Sequence, residues 1–70
     1  AVFDRLKAWR ISIARANDVP AYVIFNDATL QEIARRRPAS ARELLAVPGI
    51  GSVKAQRFGP DVLKVLAGEE

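Results

Sequence analysis

Seventy residues suffice for one small hydrophobic core, so the side chains that hold the fold and those that act must come from the same short supply. Half of the residues are apolar and 27% are charged, with only four glycines and four prolines, a balance that argues against a disordered tail and for a folded helical domain. With no cysteine and no histidine the chain lacks disulfides, thiolate zinc sites and the commonest neutral-pH bases, while a net charge of +3 suits an anionic partner without demanding one.

Val2, Leu6, Trp9, Ile13 and Ala16 recur at steps of four and three, which predicts an amphipathic first helix with Trp9 in the core. Asn17, Asp18, Val19 and Pro20 end it, because the residue before a proline is pushed out of helical geometry. Residues 21–25 form an apolar run that local preference reads as a strand, yet no second strand exists to pair with it, so a buried helical turn or a short irregular segment is expected. Asn26, Asp27 and Thr29 compete to cap a helix bearing Leu30, Ile33 and Ala34, and Thr29 and Glu32 have the spacing of a capping box. Arg35, Arg36 and Arg37 close that helix and Pro38 stops it.

Ser40 and Glu43 make a second capping box, with Ala39 and Leu44 spaced as a hydrophobic staple, and the short helix they open ends before Pro48. Beyond a turn at residues 49–51, the stripe of Val53, Ala55, Phe58, Val62 and Leu66 predicts a last helix, kinked or split at Gly59 and Pro60. The expected fold class is all-α: residues 1–70 as one domain, a compact bundle of about five short helices without repeats. No apolar run approaches the length of a membrane span and residues 1–13 lack a signal-peptide core, which leads us to expect an intracellular protein. The absence of an initiating methionine suggests a piece of a longer polypeptide.

The candidate site is residues 44–58. Gly49 and Gly51 let a ligand approach the backbone, the amides of Gly51, Ser52 and Val53 stand at a helix start, and Lys54 and Arg57 follow within two turns. Bare amides at the positive end of a helix dipole suit a phosphate, and the adjacent cations favour a nucleic-acid backbone; equally, a proline and two glycines serve as a plain connection between packed helices. Arg35, Arg36 and Arg37 read either as a nucleic-acid patch or as cations that a helix C-terminus favours without any ligand. Tyr22 is either core or a stacking platform for an unpaired base. The carboxylates Asp27 and Glu32 have local capping roles, and with no nucleophile beside a base and no Walker loop the chain gives no support to catalysis.

The turn resembles the helix-hairpin-helix element of many DNA-binding proteins, in which a hydrophobic residue, here Ile50, lies between two glycines. Residues 19–30, reading Val-Pro-Ala-Tyr-Val-Ile-Phe-Asn-Asp-Ala-Thr-Leu, together with residues 44–59, resemble the HRDC domain of helicases and RNase D over nearly the whole chain. The resemblance implies a non-catalytic accessory module, without cofactor or metal, that contributes nucleic-acid binding and substrate selectivity to a RecQ-like helicase in DNA repair and recombination. It carries binding roles onto Lys54 and Arg57 beside Gly49 and Gly51, and onto Tyr22. The implied partner is single-stranded or branched DNA, bound weakly to moderately by a monomer in the bacterial cytoplasm, at the nucleoid. Alternatives are docking on the helicase core of its own chain or on another protein, and RNA binding in an RNase D-type nuclease.

Overall fold

The computed structural model describes residues 2–68, which form five helices in the order expected: α1 (Val2–Ala16), α2 (Ala21–Ile24), α3 (Asp27–Arg36), α4 (Ala41–Leu45) and α5 (Ser52–Ala67). No strand occurs among the described residues. Helix α1 packs on α2, α3 and α5, and α4 packs on α5.

The buried stripe of α1 is Val2, Leu6, Arg10 and Ala14, a run of four-residue steps with a charge in the middle. Trp9 and Ile13 flank it half-buried, and Ala16 is exposed, so the apolar spacing locates the inner face slightly off its true centre. Arg10 is tolerated inside because both of its Nη groups are matched, although Nε is buried without a hydrogen-bond partner among the described residues. Nη1 donates to the Phe25 carbonyl at 2.9 Å and Nη2 pairs with the Asp27 carboxylate at 2.8 Å. It thereby ties α1 to the extended link between α2 and α3, whose carbonyl has no helical partner.

Helix α1 closes over Asp18, which takes a left-handed φ of 55°, while the Val19 amide returns to the Ala14 carbonyl at 3.0 Å. Pro20 then stands at the N-cap of the four-residue α2, and Phe25 is extended beyond it. The strand preference of this run is overridden as expected, because Ile24 and Phe25 bury their side chains in a helical core that offers no edge to pair with.

Asn26 wins the competition to cap α3: its Oδ1 accepts from the Thr29 amide at 2.8 Å. The capping box expected from Thr29 and Glu32 is therefore not formed. Thr29 lies two turn positions inside the helix and is buried, and Glu32 turns instead to Arg35 and Arg36. Helix α3 ends on Arg37 in the left-handed region at φ 48°, its amide donating to the Ile33 carbonyl at 2.8 Å. The second box forms in modified shape: Ser40 Oγ accepts from the Glu43 amide at 3.2 Å, and Glu43 Oε1 reaches the Ala39 amide at 2.8 Å instead of that of Ser40. The staple partner Ala39 is exposed, whereas Leu44 is fully buried, against Gly59.

Helix α5 runs unbroken for 16 residues with Pro60 inside it, so the expected split is absent. Gly59 lacks the Cβ that a following proline would crowd, and Pro60 and Gln56 are both exposed. The buried face of Ala55, Phe58, Val62 and Leu66 continues through the proline, and its packing holds the helix together. In the core, Phe25 and Phe58 meet edge-to-face at 5.8 Å and half-buried Trp9 lies 6.1 Å from each, while Leu6, Leu30, Ile33, Leu44 and Val62 are fully buried in the same cluster. Edge-on ring pairs of this kind add about 0.5–1.5 kcal/mol each to the burial of the rings.

Candidate nucleic-acid interface

The hairpin between α4 and α5 is pinned from inside by two apolar side chains, Val47 and Ile50, both buried. Their backbones close the turn, the Val47 amide donating to Leu44 and the Ile50 amide to Val47. Between them Gly49 sits at φ 93°, and a Cβ on it would run into the Thr29 hydroxyl of α3. Gly51 differs: its φ of −88° suits any residue, and a Cβ there would meet nothing within 4 Å. One glycine is thus required by the fold, while the other leaves the entrance of α5 uncovered.

That entrance carries no side-chain cap. The first ladder bond of α5 runs from the Ala55 amide to the Gly51 carbonyl at 2.9 Å, so the amides of Ser52, Val53 and Lys54 have no acceptor among the described residues. With the dipole behind them they present about half a positive charge to an incoming anion. Beside them lies a groove of about 300 Å³ between Val19 and Val23 on one side and Val53, Lys54 and Arg57 on the other, with Asn17, Ile24 and Phe58 completing its lining.

Both cations of the groove rest on aromatic faces. Lys54 Nζ stands 5.7 Å from the Phe25 centroid, and the Arg57 guanidinium 5.2 Å from that of Phe58 while it donates to Asn17 Oδ1 at 3.2 Å. Tyr22, 71% exposed, neighbours Val23 of the groove wall, so of the two readings open to it core packing is excluded. Val53, which its spacing puts on the buried stripe, is 74% exposed; it lies one residue outside the inner face of α5 and projects beside the bare amides.

The remaining predicted residues lie elsewhere. Arg35 and Arg36 both bind the Glu32 carboxylate, at 2.7 and 2.9 Å, and the Arg35 bond foremost, then that of Arg36, holds that carboxyl below its usual range. A carboxylate depressed in this way favours the fold above its unfolded-state pKa and loses that contribution as pH falls through the folded value. Arg37 lines a separate pocket with Leu66 and Ala67, about 20 Å along α5 from Ser52. Val53, Lys54 and Arg57 therefore line one groove next to Gly49, Gly51 and Ser52, whereas Arg35, Arg36 and Arg37 stand at the end of α3 and line none of it. Asn17, read from the sequence only as part of a helix stop, belongs to the groove; its contact with Arg57 spans 40 positions and leaves no local signal.

Among the described residues no group of histidine, cysteine or carboxylate side chains could hold a metal ion, and no helix is long and apolar enough to cross a membrane. Comparison with known proteins gives four concordant findings. The family model of the HRDC domain matches residues 1–66. Over 64 residues the chain is 47% identical to the ATP-dependent DNA helicase UvrD2 of Mycobacterium tuberculosis, covering 91% of this chain and 9% of that protein. Over 65 residues it is 42% identical to the ATP-dependent DNA helicase RecQ of Pasteurella multocida, covering 93% of this chain and 10% of that one. Among solved structures, HRDC domain 3 of D. radiodurans RecQ superposes with a TM-score of 0.90 at 29% identity, over 93% of this chain and 86% of that one. The chain thus spans about a tenth of the length of the helicases it matches.

Proposed function

This chain belongs to the HRDC domain family, and from that premise we propose that it is a non-catalytic nucleic-acid-binding module of a RecQ- or UvrD-type DNA helicase, gripping phosphates at the start of α5. The observation that carries the reading is the open N-cap: Gly51 brings no side chain, nothing lies within 4 Å of where one would be, and Lys54 and Arg57 flank the amides behind it. An anion seated there gains directed hydrogen bonds, the dipole and two nearby positive charges together. Exposed Tyr22 adds a face on which an unpaired base stacks, with Val23 and Val53 as apolar neighbours, which favours single-stranded or branched DNA over regular duplex. Arg35, Arg36 and Arg37 make a secondary contribution, since two of them already serve Glu32 and none of the three lines the groove beside the bare amides. In its parent the module selects among DNA structures during repair and recombination, in the bacterial cytoplasm.

The decisive variant is Gly51→Asp. Its carboxylate has room to accept from the Val53 or Lys54 amide, so it caps α5 and should raise the unfolding free energy by about 0.5–1 kcal/mol. The same carboxylate occupies the phosphate site, and affinity for an oligothymidine strand, measured by fluorescence anisotropy, should fall at least about tenfold. For the unaltered chain, about three to five neutralised phosphates give a log–log salt slope of about −2 to −4. Should Gly51→Asp stabilise the fold while binding stays unchanged, the amides hold no phosphate. The docking reading, in which this face meets protein, then takes precedence, with Lys54→Glu altering regulation of the parent without altering DNA affinity.

A further inference from the structure

We propose that Asn17 is a positioning residue of this interface, fixing the Arg57 guanidinium at the rim of the groove before any strand arrives; the inference rests on the phosphate-binding reading above. Asn17 uses both halves of its amide. Nδ2 donates to the Ile13 carbonyl at 2.8 Å, inside the last turn of α1, and this settles which way the amide is turned: Oδ1 faces outward and accepts from Arg57 Nη2 at 3.2 Å. The amide is held in turn by its own backbone, whose N–H also donates to Ile13 at 3.0 Å, so both bonds anchor it to the same carbonyl.

Arg57 is thus restrained on two sides, by the Asn17 oxygen and by the Phe58 ring 5.2 Å from its centre. One donor of the guanidinium is engaged and most of its five remain for a ligand. An arginine on an open helix face otherwise samples many rotamers, and a strand that binds it must first freeze them. Held by Asn17, the fork stands ready on the side of the groove opposite Val23, on the same helix as the bare amides of Ser52 and Val53. An Asn17 oxygen carries no charge, so it orients the cation without neutralising it, whereas Arg35 and Arg36 share the charged carboxylate of Glu32. That contrast separates a cation kept available from cations already paired.

The test is a double-substitution cycle on oligothymidine affinity with Asn17→Ala, Arg57→Ala and both together. In the otherwise unaltered chain Asn17→Ala should weaken binding about three- to tenfold, and in the Arg57→Ala background by less than about twofold, since residues joined by one contact are non-additive. A role confined to ending α1 predicts the same loss in both backgrounds, and that result overturns the proposal. An Arg57→Ala variant that binds as tightly as the parent would overturn the assignment of Arg57 itself, while the Gly51→Asp result would still judge the phosphate site separately. Should Asn17→Ala fail to fold, side-chain NMR of the unaltered chain decides: slow rotation of the Arg57 guanidinium in the free protein supports the restraint, and free rotation sinks it.

Discussion

Phe25→Ala should lower the thermal midpoint of this chain by at least about 12 °C, or abolish the cooperative transition outright. Phe25 is 1% exposed, touches the rings of Trp9 and Phe58, and follows the shortest helix, so its ring anchors the link between α2 and α3 to the core. Truncating a buried phenylalanine costs about 3–5 kcal/mol. A domain of this length has about 4–10 kcal/mol in total. The loss also removes the ring beneath Lys54, so any folded remainder should bind oligonucleotide more weakly. Trp9→Ala should cost less, because Trp9 is only half-buried. Circular dichroism melts of the two variants check the order; a sharp transition retained by Phe25→Ala, within a few degrees of the parent, would refute the assignment of the ring triangle as part of the core.

Gly49→Ala should be the most damaging substitution outside the apolar core. A left-handed φ of 93° strains any residue with a side chain, and here the new methyl also meets Thr29, which is itself buried on α3 and cannot swing into solvent. The two effects together should cost about 2–4 kcal/mol. Denaturant unfolding measures the loss, with Gly51→Ala as the control: that position is open and ordinary in φ, and should lose less than about 1 kcal/mol. Equal losses at the two glycines would mean that the hairpin does not press against α3 as described.

Helix count, helix order and the glycine hairpin were legible from the chain because each rests on local signals: stripes at helical spacing, cap residues, and prolines that cannot continue a helix. The errors occur where a distant residue decides. Arg10, which the apolar stripe read from the sequence leaves out, sits at the four-residue step between Leu6 and Ala14, and its burial rests on the Phe25 carbonyl and Asp27, which no local signal announces. Thr29 and Glu32 have the right spacing for a cap, but Asn26 starts the helix earlier, and the hydroxyl of Thr29 goes under the hairpin instead. Pro60 breaks an isolated helix and not this one, because α5 is held along its buried face on both sides of the ring. For the candidate site, the sequence locates the amides, Lys54 and Arg57, which are neighbours along one helix; it has no means of separating them from Arg35, Arg36 and Arg37, which stand at the end of α3, a helix that packs on α1.

Trp9 is the only tryptophan in the chain, and its indole lies edge-on to Phe58, whose ring in turn lines the groove. Light emitted by that one fluorophore therefore carries two messages without any attached dye: a large spectral change when the aromatic triangle comes apart, and a small one when the neighbouring cleft is filled. The chain comes with its own optical gauge of both melting and occupancy.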